Sequence, residues 1–596
     1  MDQLKTDLPA AQSLVNRALI AHPNNHNTCS EAAIESAKTG YETYDDMEDH
    51  VFDTSPITPR ELQGWKIFGF ATEGYSALAA AVFFPLILEN LASTQAYDSK
   101  SVREGDFPLI PCNVTSSQYS CSIFVGSVWV DTTSFVFCTH YAIFCDHLDC
   151  QYNSLLTNPI LLPFKLPLDA TTISVFLQFL LFINLGALAD HGGYRKTFLI
   201  GFAVTTSLLA ISTLLVTRNN LLWLATIIFM MSNVTYCASY VFFYAWVPIL
   251  TRYNPEVIAA VEKKISHEEY SHISETVANS VSSQGFFWGY LSAVIQLILG
   301  AAIYIAMGDG NKYGLPSVYP LQIGIAMSGI WTLIFLPFTQ KWLKPRPGTP
   351  LPKGENFVLF SIKKLGHTLA KVHRLGQLFL FLLGWFIYSD GFTTIIAVAI
   401  LFFRTEIGVS TTNLLIAAII TPLFAAIGCY VWNKIQVYTK ATTKQILLAQ
   451  AFLYCLLCVY GLIGFFTKPG TFGLRSRNEI FPLAAYHGFL LGATQSACRV
   501  MFSELLPPGY ESEFFSLYEI TDKGSAWVGP LIVGLIDDRT HEKRNSFWFI
   551  LAMLAIPIII FGVLDIEKGK KQAREYVEDM KALRDCKKKA EFATEQ

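Results

Sequence analysis

The chain contains 596 residues, of which 52% are hydrophobic and only 15% are charged, and its formal net charge is −3 at pH 7. Soluble domains carry about 25% charged residues, so this composition excludes an ordinary soluble protein and indicates an integral membrane protein. The small negative net charge gives no reason to expect a nucleic-acid partner.

Residues 1–60 are polar, and they contain no apolar segment of the kind that opens a cleaved signal peptide. We therefore expect a polar tail, followed by a first span that itself directs the chain to the membrane. Twelve apolar runs, each long enough to cross a bilayer as a helix, follow in the sequence. They lie at about 67–91, 172–189, 197–217, 221–250, 284–307, 321–343, 377–402, 412–433, 445–467, 481–502, 514–536 and 546–565.

The loops of the chain alternate in charge. Basic residues concentrate after the second, fourth, sixth, eighth and twelfth spans, and the positive-inside rule makes that side cytoplasmic, together with both termini. A linker rich in Pro and Lys, 344–376, separates two sets of six spans, at 61–343 and 377–566, and a charged tail occupies 567–596. This organisation predicts an all-α integral membrane protein with two six-helix bundles.

The loop after the first span contains an N-glycosylation sequon at Asn113, with Cys112 and Cys121 on either side. If this loop faces an oxidising lumen, we expect glycosylation and a Cys112–Cys121 disulfide. The alternative is two free thiols and an unused sequon.

The unusual insert that continues this loop, 93–170, includes a Cys- and His-containing stretch at 138–170. Its spacing matches no common zinc pattern, so we expect no metal site. The stretch is either a genuine luminal insertion or sequence translated from an unremoved intron.

A short turn at 186–196 joins the second and third spans. Asp190 ends one helix and Arg195 begins the next, so the two can form a conformation-dependent ion pair, while Gly193 permits a tight reversal and Lys196 adds positive charge. The alternative is a generic basic loop that only sets topology.

Two acids lie within spans, where charged groups are costly and usually functional. Glu73 and Asp390 belong to the first span of each half, so they are candidates to couple protons or to bind an ammonium group across the central cavity. Gly74 and Gly391 directly follow these acids and predict local unwinding. The alternative is that each acid is hydrogen-bonded for packing or lies at a membrane interface.

The fourth span carries Asn233 together with Tyr236, Tyr240 and Tyr244, which recur every four residues and share one helix face. This face predicts either a pocket for bulky substrate side chains or simple packing.

The block 492–530 combines several charges with a helix-breaking Pro-Pro-Gly sequence. Arg499 precedes that break, and Glu519 and Lys523 form an i,i+4 pair beside Asp522. These charges predict either a cytoplasmic gate or static anchors of helix ends.

These motifs resemble known transporters. The turn at 186–196 is similar to the signature of the major facilitator superfamily, although His191 and Tyr194 replace its arginines. The block 492–530 and segment 386–391 resemble the autophagy-related protein 22 family of fungal vacuolar amino-acid effluxers, a resemblance that covers roughly 55–570. It implies a major facilitator-type fold, residence in the vacuole membrane, and export of amino acids from autophagic degradation during nitrogen starvation.

The resemblance implies a transporter that works by alternating access, with neither enzyme activity nor a cofactor. No Walker motif is present, so an energy source would be the proton gradient, and facilitated diffusion is the alternative. The tyrosine face would suit leucine, isoleucine or tyrosine, and the remaining partner is membrane lipid. A non-transporting scaffold or sensor that assists vesicle breakdown is the second hypothesis, whereas the absence of Gly-x-Ser-x-Gly argues against a membrane hydrolase.

Overall fold

The structure is a computed structural model, and it describes residues 55–93, 97–98, 121–125, 128–131, 170–190, 194–308, 314–346, 372–468, 472–526, 528–540 and 542–594. Within these residues the chain is mostly α-helical. In chain order the helices are α1 Pro59–Gly74, α2 Phe84–Ser93, α3 Ala170–Ala189, α4 Tyr194–Ser212, α5 Leu222–Arg252, α6 Pro255–Glu262, α7 His267–Met307, α8 Tyr319–Trp342, α9 Gly376–Thr405, α10 Thr411–Thr439, α11 Thr443–Ile463, α12 Ile480–Glu504, α13 Glu511–Ser525, α14 Val528–Thr540, α15 Ser546–Val563 and α16 Ile566–Thr594.

Among the described residues, nine helical segments are long and apolar enough to cross a membrane. Helix α3 adds a shorter apolar run, and α12 and the pair α13 and α14 occupy the remaining positions, which agrees with the twelve expected spans. Helices bond their own backbone groups, which is what an apolar bilayer interior requires of a spanning segment. The predicted helical membrane architecture is therefore confirmed.

Two spans begin earlier than the hydropathy pattern predicted. Helix α1 starts at Pro59, where the side chain of Thr58 caps the helix by accepting the N–H of Glu61 at 3.2 Å. Helix α7 starts at His267, so it extends about 25 Å beyond the expected start of the fifth span. Polar caps and first-turn acids, which hydropathy does not register, extend both helices out of the apolar region.

The helices form two halves. In the amino half α1 packs on α7 and α8, while α4 packs on α5; in the carboxyl half α10 packs on α12, and α15 packs on α9 and α11. The halves meet where α3 and α5 contact α13, and where α7 contacts α10 and α12. We call the side that holds the turn between α3 and α4 the basic side, since it carries the basic loops expected to be cytoplasmic.

The contact between α7 and α12 contains three serines. The hydroxyl of Ser496 lies 2.9 Å from that of Ser282 and 3.3 Å from that of Ser283, and Ser282 also donates to the carbonyl of Ser496 at 3.3 Å. Small side chains let the two backbones approach closely. This serine contact joins the two halves on the basic side of Glu73, since Gly289, further along α7, is the residue that packs on Glu73.

A π-helix, Tyr75–Phe83, connects α1 to α2. It begins after Gly74, where an added Cβ would overlap the side-chain amide of Gln296 on α7, so a larger residue there requires that side chain to move. The predicted unwinding is wrong at both glycines: a wide helix follows Gly74, and α9 continues without interruption through Gly391. Wide turns of this kind are rare and concentrate at functional sites.

A small antiparallel sheet between α2 and α3 was not predicted. Its strands, β1 Tyr97–Asp98, β2 Cys121–Val125 and β3 Val128–Asp131, lie in that order. Val125 pairs with Val128, so β2 and β3 form a tight hairpin. Cys112, Asn113 and residues 132–169 lie outside the described residues, so the disulfide and the glycosylation stay predictions.

The charged carboxyl-terminal segment is helical. Helix α16 has 29 residues and lies on the basic side against both halves. The polar tail at 1–54 lies outside the described residues.

Candidate transport and gating site

Four charged side chains on the basic side connect the two halves. Arg195, in the first turn of α4, bonds Asp190 at 2.7 Å and contacts Glu511 of α13 at 3.3 Å. Arg252, at the end of α5, contacts the other carboxylate oxygen of Glu511 at 3.2 Å. Because only Glu511 belongs to the carboxyl half, this basic-side network crosses the boundary and holds the basic side closed.

Asp190 also caps helix α13 of the opposite half. Its two carboxylate oxygens accept the backbone N–H groups of Ser512 at 2.8 Å and Glu513 at 2.9 Å. These first-turn groups have no partner inside their own helix, and the helix dipole favours a negative charge there. Nε of Arg195 donates to the Ser512 hydroxyl at 3.0 Å, so the buried charges of the network are well compensated.

The Asp190–Arg195 ion pair expected from the turn is present, but its neighbours differ from the expectation. Lys196 donates to the backbone carbonyl of Gln340 on α8 at 2.7 Å, so it stays within the amino half. Gly193 lies outside the described residues. Glu511 and Arg252 were not among the predicted site residues, because the sequence does not show that the start of α13 meets the turn.

Arg499 of α12 lies in a cage of aromatic rings between the halves. Its guanidinium carbon is 3.9 Å from the ring centre of Tyr244, 5.0 Å from that of Phe286 and 5.4 Å from that of Tyr518. The first two rings belong to the amino half and the third to the carboxyl half. Cation–π attraction at these distances stabilises a charge that is only 4% exposed.

The hydrogen bonds of Arg499 leave part of its guanidinium unused. Nη1 donates to the carbonyl of Gln495 at 2.9 Å and contacts the side-chain oxygen of the same residue. Glu519 is 3.8 Å from Nη2, which is too long for a good hydrogen bond. Among the described residues, neither Nε of Arg499 nor Oε1 of Glu519 has a hydrogen-bond partner, and buried polar groups usually have one. Both atoms are buried and have hydrogen-bonding capacity that no described residue uses.

Glu73 of α1 binds the tyrosine face of α5. Its Oε2 accepts the hydroxyl of Tyr240 at 2.5 Å and that of Tyr236 at 3.4 Å. Thr72 bonds the Tyr240 hydroxyl at 3.1 Å from the other side. The tyrosine face therefore contacts an acidic group in addition to packing, and Tyr236 joins the site residues.

A series of ring contacts leads from Glu73 to Arg499. The ring centre of Tyr240 lies 5.4 Å from that of Tyr244, which in turn stacks on Arg499. At 1.5 Å per residue, Arg499 is about 8 Å and Glu73 about 21 Å from the basic-side ends of their helices. We call Glu73, Tyr240, Tyr244 and Arg499 the central site. It contains a carboxylate from the amino half and a guanidinium group from the carboxyl half, at different depths.

The predicted i,i+4 pair between Glu519 and Lys523 is not formed. Lys523 instead bonds the adjacent Asp522 at 2.9 Å, and the other carboxylate oxygen of Asp522 accepts the hydroxyl of Ser389 on α9. Glu519 has Arg499 as its paired cation. Asp522 therefore joins α13 to α9 within the carboxyl half.

Lys523 is a partly exposed charge deep in helix α13. Its side chain is 36% exposed, although it lies about 18 Å from the start of α13. Glu73 and Cys237 of the amino half lie within range of its charge. Lys523 is therefore a partly exposed charge at a depth where charged groups usually have a partner, here Asp522, or face a cavity.

Asp390 does not face the opposite half as expected. It is fully buried in the carboxyl half, where Oδ1 is 3.4 Å from the hydroxyl of Thr394 and packs against Gly529 of α14. Its Oδ2 has no hydrogen-bond partner among the described residues. An ionised carboxylate is costly in such surroundings, so this position favours the neutral acid.

The remaining candidates do not join the central site. Asn233 is half-buried, and its side-chain oxygen is 3.5 Å from the thiol of Cys237. The described residues contain no group of three side chains that could hold a metal ion. The free, buried thiols among them are Cys237, Cys429, Cys455, Cys458 and Cys498.

Comparison with known proteins places this arrangement in a family. The sequence profile described as "Vacuole effluxer Atg22 like" matches residues 57–143 and 167–574. The chain belongs to this family. The residues between the two matched ranges, 144–166, fall inside the stretch 138–170 that the sequence analysis describes as unusual.

Individual relatives align over nearly their whole length. Autophagy-related protein 22 of Coccidioides immitis is 28% identical over 587 residues, which cover 89% of this chain and 91% of the relative. Autophagy-related protein 22-1 of Sclerotinia sclerotiorum is 31% identical over 581 residues, with coverage of 87% and 91%. The family relationship therefore extends over both halves.

The fold is similar to that of a solved transporter. The major facilitator superfamily proton:xylose symporter XylE, bound to 6-bromo-6-deoxy-D-glucose, superposes with a TM-score of 0.54 at 11% identity, over 87% of this chain and 98% of that chain. At this identity the likeness concerns the fold alone. It confirms the predicted fold class, a major facilitator-type membrane protein built from two helical bundles.

Proposed function

We propose that this family member exports amino acids from the vacuole lumen to the cytosol. The observation that supports this substrate is the placement of Glu73 in one half and Arg499 in the other, with the tyrosine face between them. An α-amino acid carries an ammonium group and a carboxylate, which these two side chains complement by charge-assisted hydrogen bonds. By the helix lengths the two side chains lie about 13 Å apart in depth, so one amino acid meets them in turn along the tyrosine face, and each contact is with a different half.

The conformation described here corresponds to one end of an alternating-access cycle. The basic-side network is intact, whereas Lys523, further along α13, is partly exposed. If the basic side is cytoplasmic, as the positive-inside rule predicts, this is the state that loads substrate from the lumen. Release to the cytosol then requires Arg195 and Arg252 to part from Glu511.

Asp390 is our candidate for the coupling proton, whereas Glu73 binds the substrate ammonium. Asp390 has no ion-pair partner among the described residues and one unpartnered oxygen, so the neutral acid suits this conformation. Glu73 already accepts two tyrosine hydroxyls. Movement of protons out of an acidic lumen is downhill, so transfer of a proton with each amino acid would drive export.

The tyrosine face favours substrates with bulky neutral side chains. Tyr236, Tyr240 and Tyr244 offer ring surface beside the two charged groups, and such surface suits leucine, isoleucine or tyrosine. The relatives' designation as autophagy-related proteins supports a role in returning the products of autophagic degradation to protein synthesis in nitrogen starvation.

The direct test is amino-acid efflux from isolated vacuoles of a deletion strain that carries either the natural chain or Glu73→Gln. We expect the natural chain to restore efflux and Glu73→Gln to abolish it at equal abundance, because the ammonium partner is lost. Glu262→Gln is the matched control, since Glu262 is exposed at the end of α6. If the natural chain produced no efflux above the deletion strain, the proposal would be wrong.

A further inference from the structure

Helix α16 lies outside the membrane-spanning region and contacts both halves through Lys570. The ammonium group of Lys570 donates to the hydroxyl of Ser271 at 2.7 Å and lies 3.9 Å from Glu275, both on the basic-side extension of α7. The same group is 3.4 Å from Glu504, the last residue of α12. A single cation therefore connects the amino half to the carboxyl half.

The rest of α16 is fixed to the carboxyl half. Tyr576 is 2% exposed, and its ring centre lies 5.7 Å from that of Tyr510 and 6.4 Å from that of Phe514, at the start of α13. The side chain of Gln572 accepts the backbone N–H of Gln377 on α9 at 3.1 Å. These contacts would carry α16 along with the carboxyl half in any movement.

Contacts to the amino half are fewer and polar. Besides Ser271 and Glu275, an exposed pair joins His267 of α7 to Glu567 of α16 at 3.0 Å. Burial alone would lower the pKa of Lys570, but the surrounding carboxylates, Glu504 first, outweigh it and raise the pKa above the usual value. Lys570 therefore stays charged across the physiological range, and three carboxylates share its charge.

We propose that α16 is a latch that stabilises the conformation closed on the basic side, and that Lys570 is its fastening residue. Opening of this side moves α7 away from α12. The ammonium group of Lys570 cannot then contact Ser271 and Glu275 on α7 and Glu504 on α12 at the same time. The carboxyl half retains α16 through Tyr576 and Gln572, so the contacts to α7 are the ones that break.

The latch reinforces the basic-side network from a different position. The network joins the start of α4 and the end of α5 to α13, whereas Lys570 joins α7 to α12. Loss of the latch therefore shifts the equilibrium toward the open form without removing any central-site residue. This inference does not depend on which substrate is carried.

The test measures opening directly. Ser283→Cys places a thiol in the serine contact, where the native residue is 7% exposed, and right-side-out vacuoles are treated with a membrane-impermeant maleimide. We expect Lys570→Met to raise the labelling rate of this thiol at least about fivefold, the lower range of a conformational coupling. The parent without Ser283→Cys provides the background of the native thiols.

Lys571→Met is the matched control, because Lys571 is 78% exposed and pairs only with Glu575 of its own helix among the described residues. We expect it to leave labelling unchanged. Ser271→Ala, a milder change on the α7 side, should give a smaller increase in the same direction and provides the test if Lys570→Met fails to fold. Unchanged labelling in folded Lys570→Met, or in folded Ser271→Ala where Lys570→Met does not fold, would overturn the proposal and leave α16 as a static anchor.

Discussion

The basic-side network and the central site both combine buried charges from the two halves, yet they differ in how completely those charges are satisfied. In the network, the carboxylate of Asp190 accepts hydrogen bonds from two backbone N–H groups and from Arg195. The carboxylate of Glu511 contacts Arg195 and Arg252. Arg499 of the central site lies 3.8 Å from the neighbouring Glu519, and each of the two side chains has an unpartnered buried atom among the described residues.

This difference separates stability from binding. A network whose charges are all paired stabilises the conformation in which it forms. Removal of one member leaves the other buried charges without their partner, which destabilises that conformation. A cluster with unpartnered atoms contributes less to stability, but it gains most when a ligand supplies the missing bonds. We therefore expect mutations in the central site to lower transport more than stability, and mutations in the basic-side network to lower stability more than transport.

The largest effect is expected for Arg499→Gln, which should lower amino-acid efflux about 100-fold by removing the partner of the substrate carboxylate. The unfolding temperature in detergent should fall less than in Asp190→Ala, since among the described residues Arg499 reaches hydrogen-bond distance only to Gln495. Arg477→Gln is the control, because Arg477 bonds a backbone carbonyl away from the central site. A large loss of stability in Arg499→Gln would contradict the distinction between the two regions.

Next in size is Asp190→Ala, which removes a buried ion pair and a helix cap together. We expect the free energy of unfolding to fall by about 3–5 kcal/mol, read as a lower unfolding temperature at unchanged expression. Asp190→Asn retains an acceptor oxygen for one backbone N–H, so it should recover about 1 kcal/mol of the loss. Equal stability of the two variants would show that the cap contributes nothing.

A more selective effect is expected for Asp390→Asn, which mimics the neutral acid. Efflux should persist, but its stimulation by an imposed pH gradient, acidic in the lumen, should disappear. Efflux is measured in vesicles with and without that gradient, and Glu73→Gln should instead lose efflux under both conditions. Full retention of the gradient effect in Asp390→Asn would assign the proton to another group.

The smallest effect is expected for Ser496→Ala, which removes hydroxyl contacts across the serine contact. Interhelical hydrogen bonds in membranes average about 0.6 kcal/mol, so the ratio of closed to open forms should fall about threefold. Distances between spin labels on α7 and α12 would measure this ratio. A change of tenfold or more would show that the serines contribute more than ordinary weak bonds.

Local patterns in the sequence were sufficient for the helical architecture and for several site residues. Apolar runs gave the spans, since length and hydropathy decide membrane crossing. The Asp190–Arg195 pair could be predicted because the two residues flank one short turn, which keeps them close in space. Glu73 was identified because a charge inside a span requires a partner or a cavity, whereas Arg499 was expected in a gate or as an anchor because it belongs to the charged block 492–530.

What sequence reasoning missed depends on contacts between distant segments. Glu511 and Arg252 are separated by 259 positions in the chain, and no local pattern shows that α5 ends beside α13. Helix spacing predicted a pair between Lys523 and Glu519. In the structure Lys523 bonds Asp522 instead, and Asp522 also accepts the hydroxyl of Ser389 on α9, a contact between distant segments. The role of α16 was missed because charged composition alone does not show which residues dock.

The serine contact between α7 and α12 has a further consequence for the chain as a whole. A few hydroxyl bonds between small side chains provide too little binding free energy to hold two separate proteins together. Within one polypeptide the same surfaces meet at a high effective concentration, so weak bonds are sufficient. The two halves can therefore behave as tethered partners that associate and dissociate repeatedly at low energetic cost.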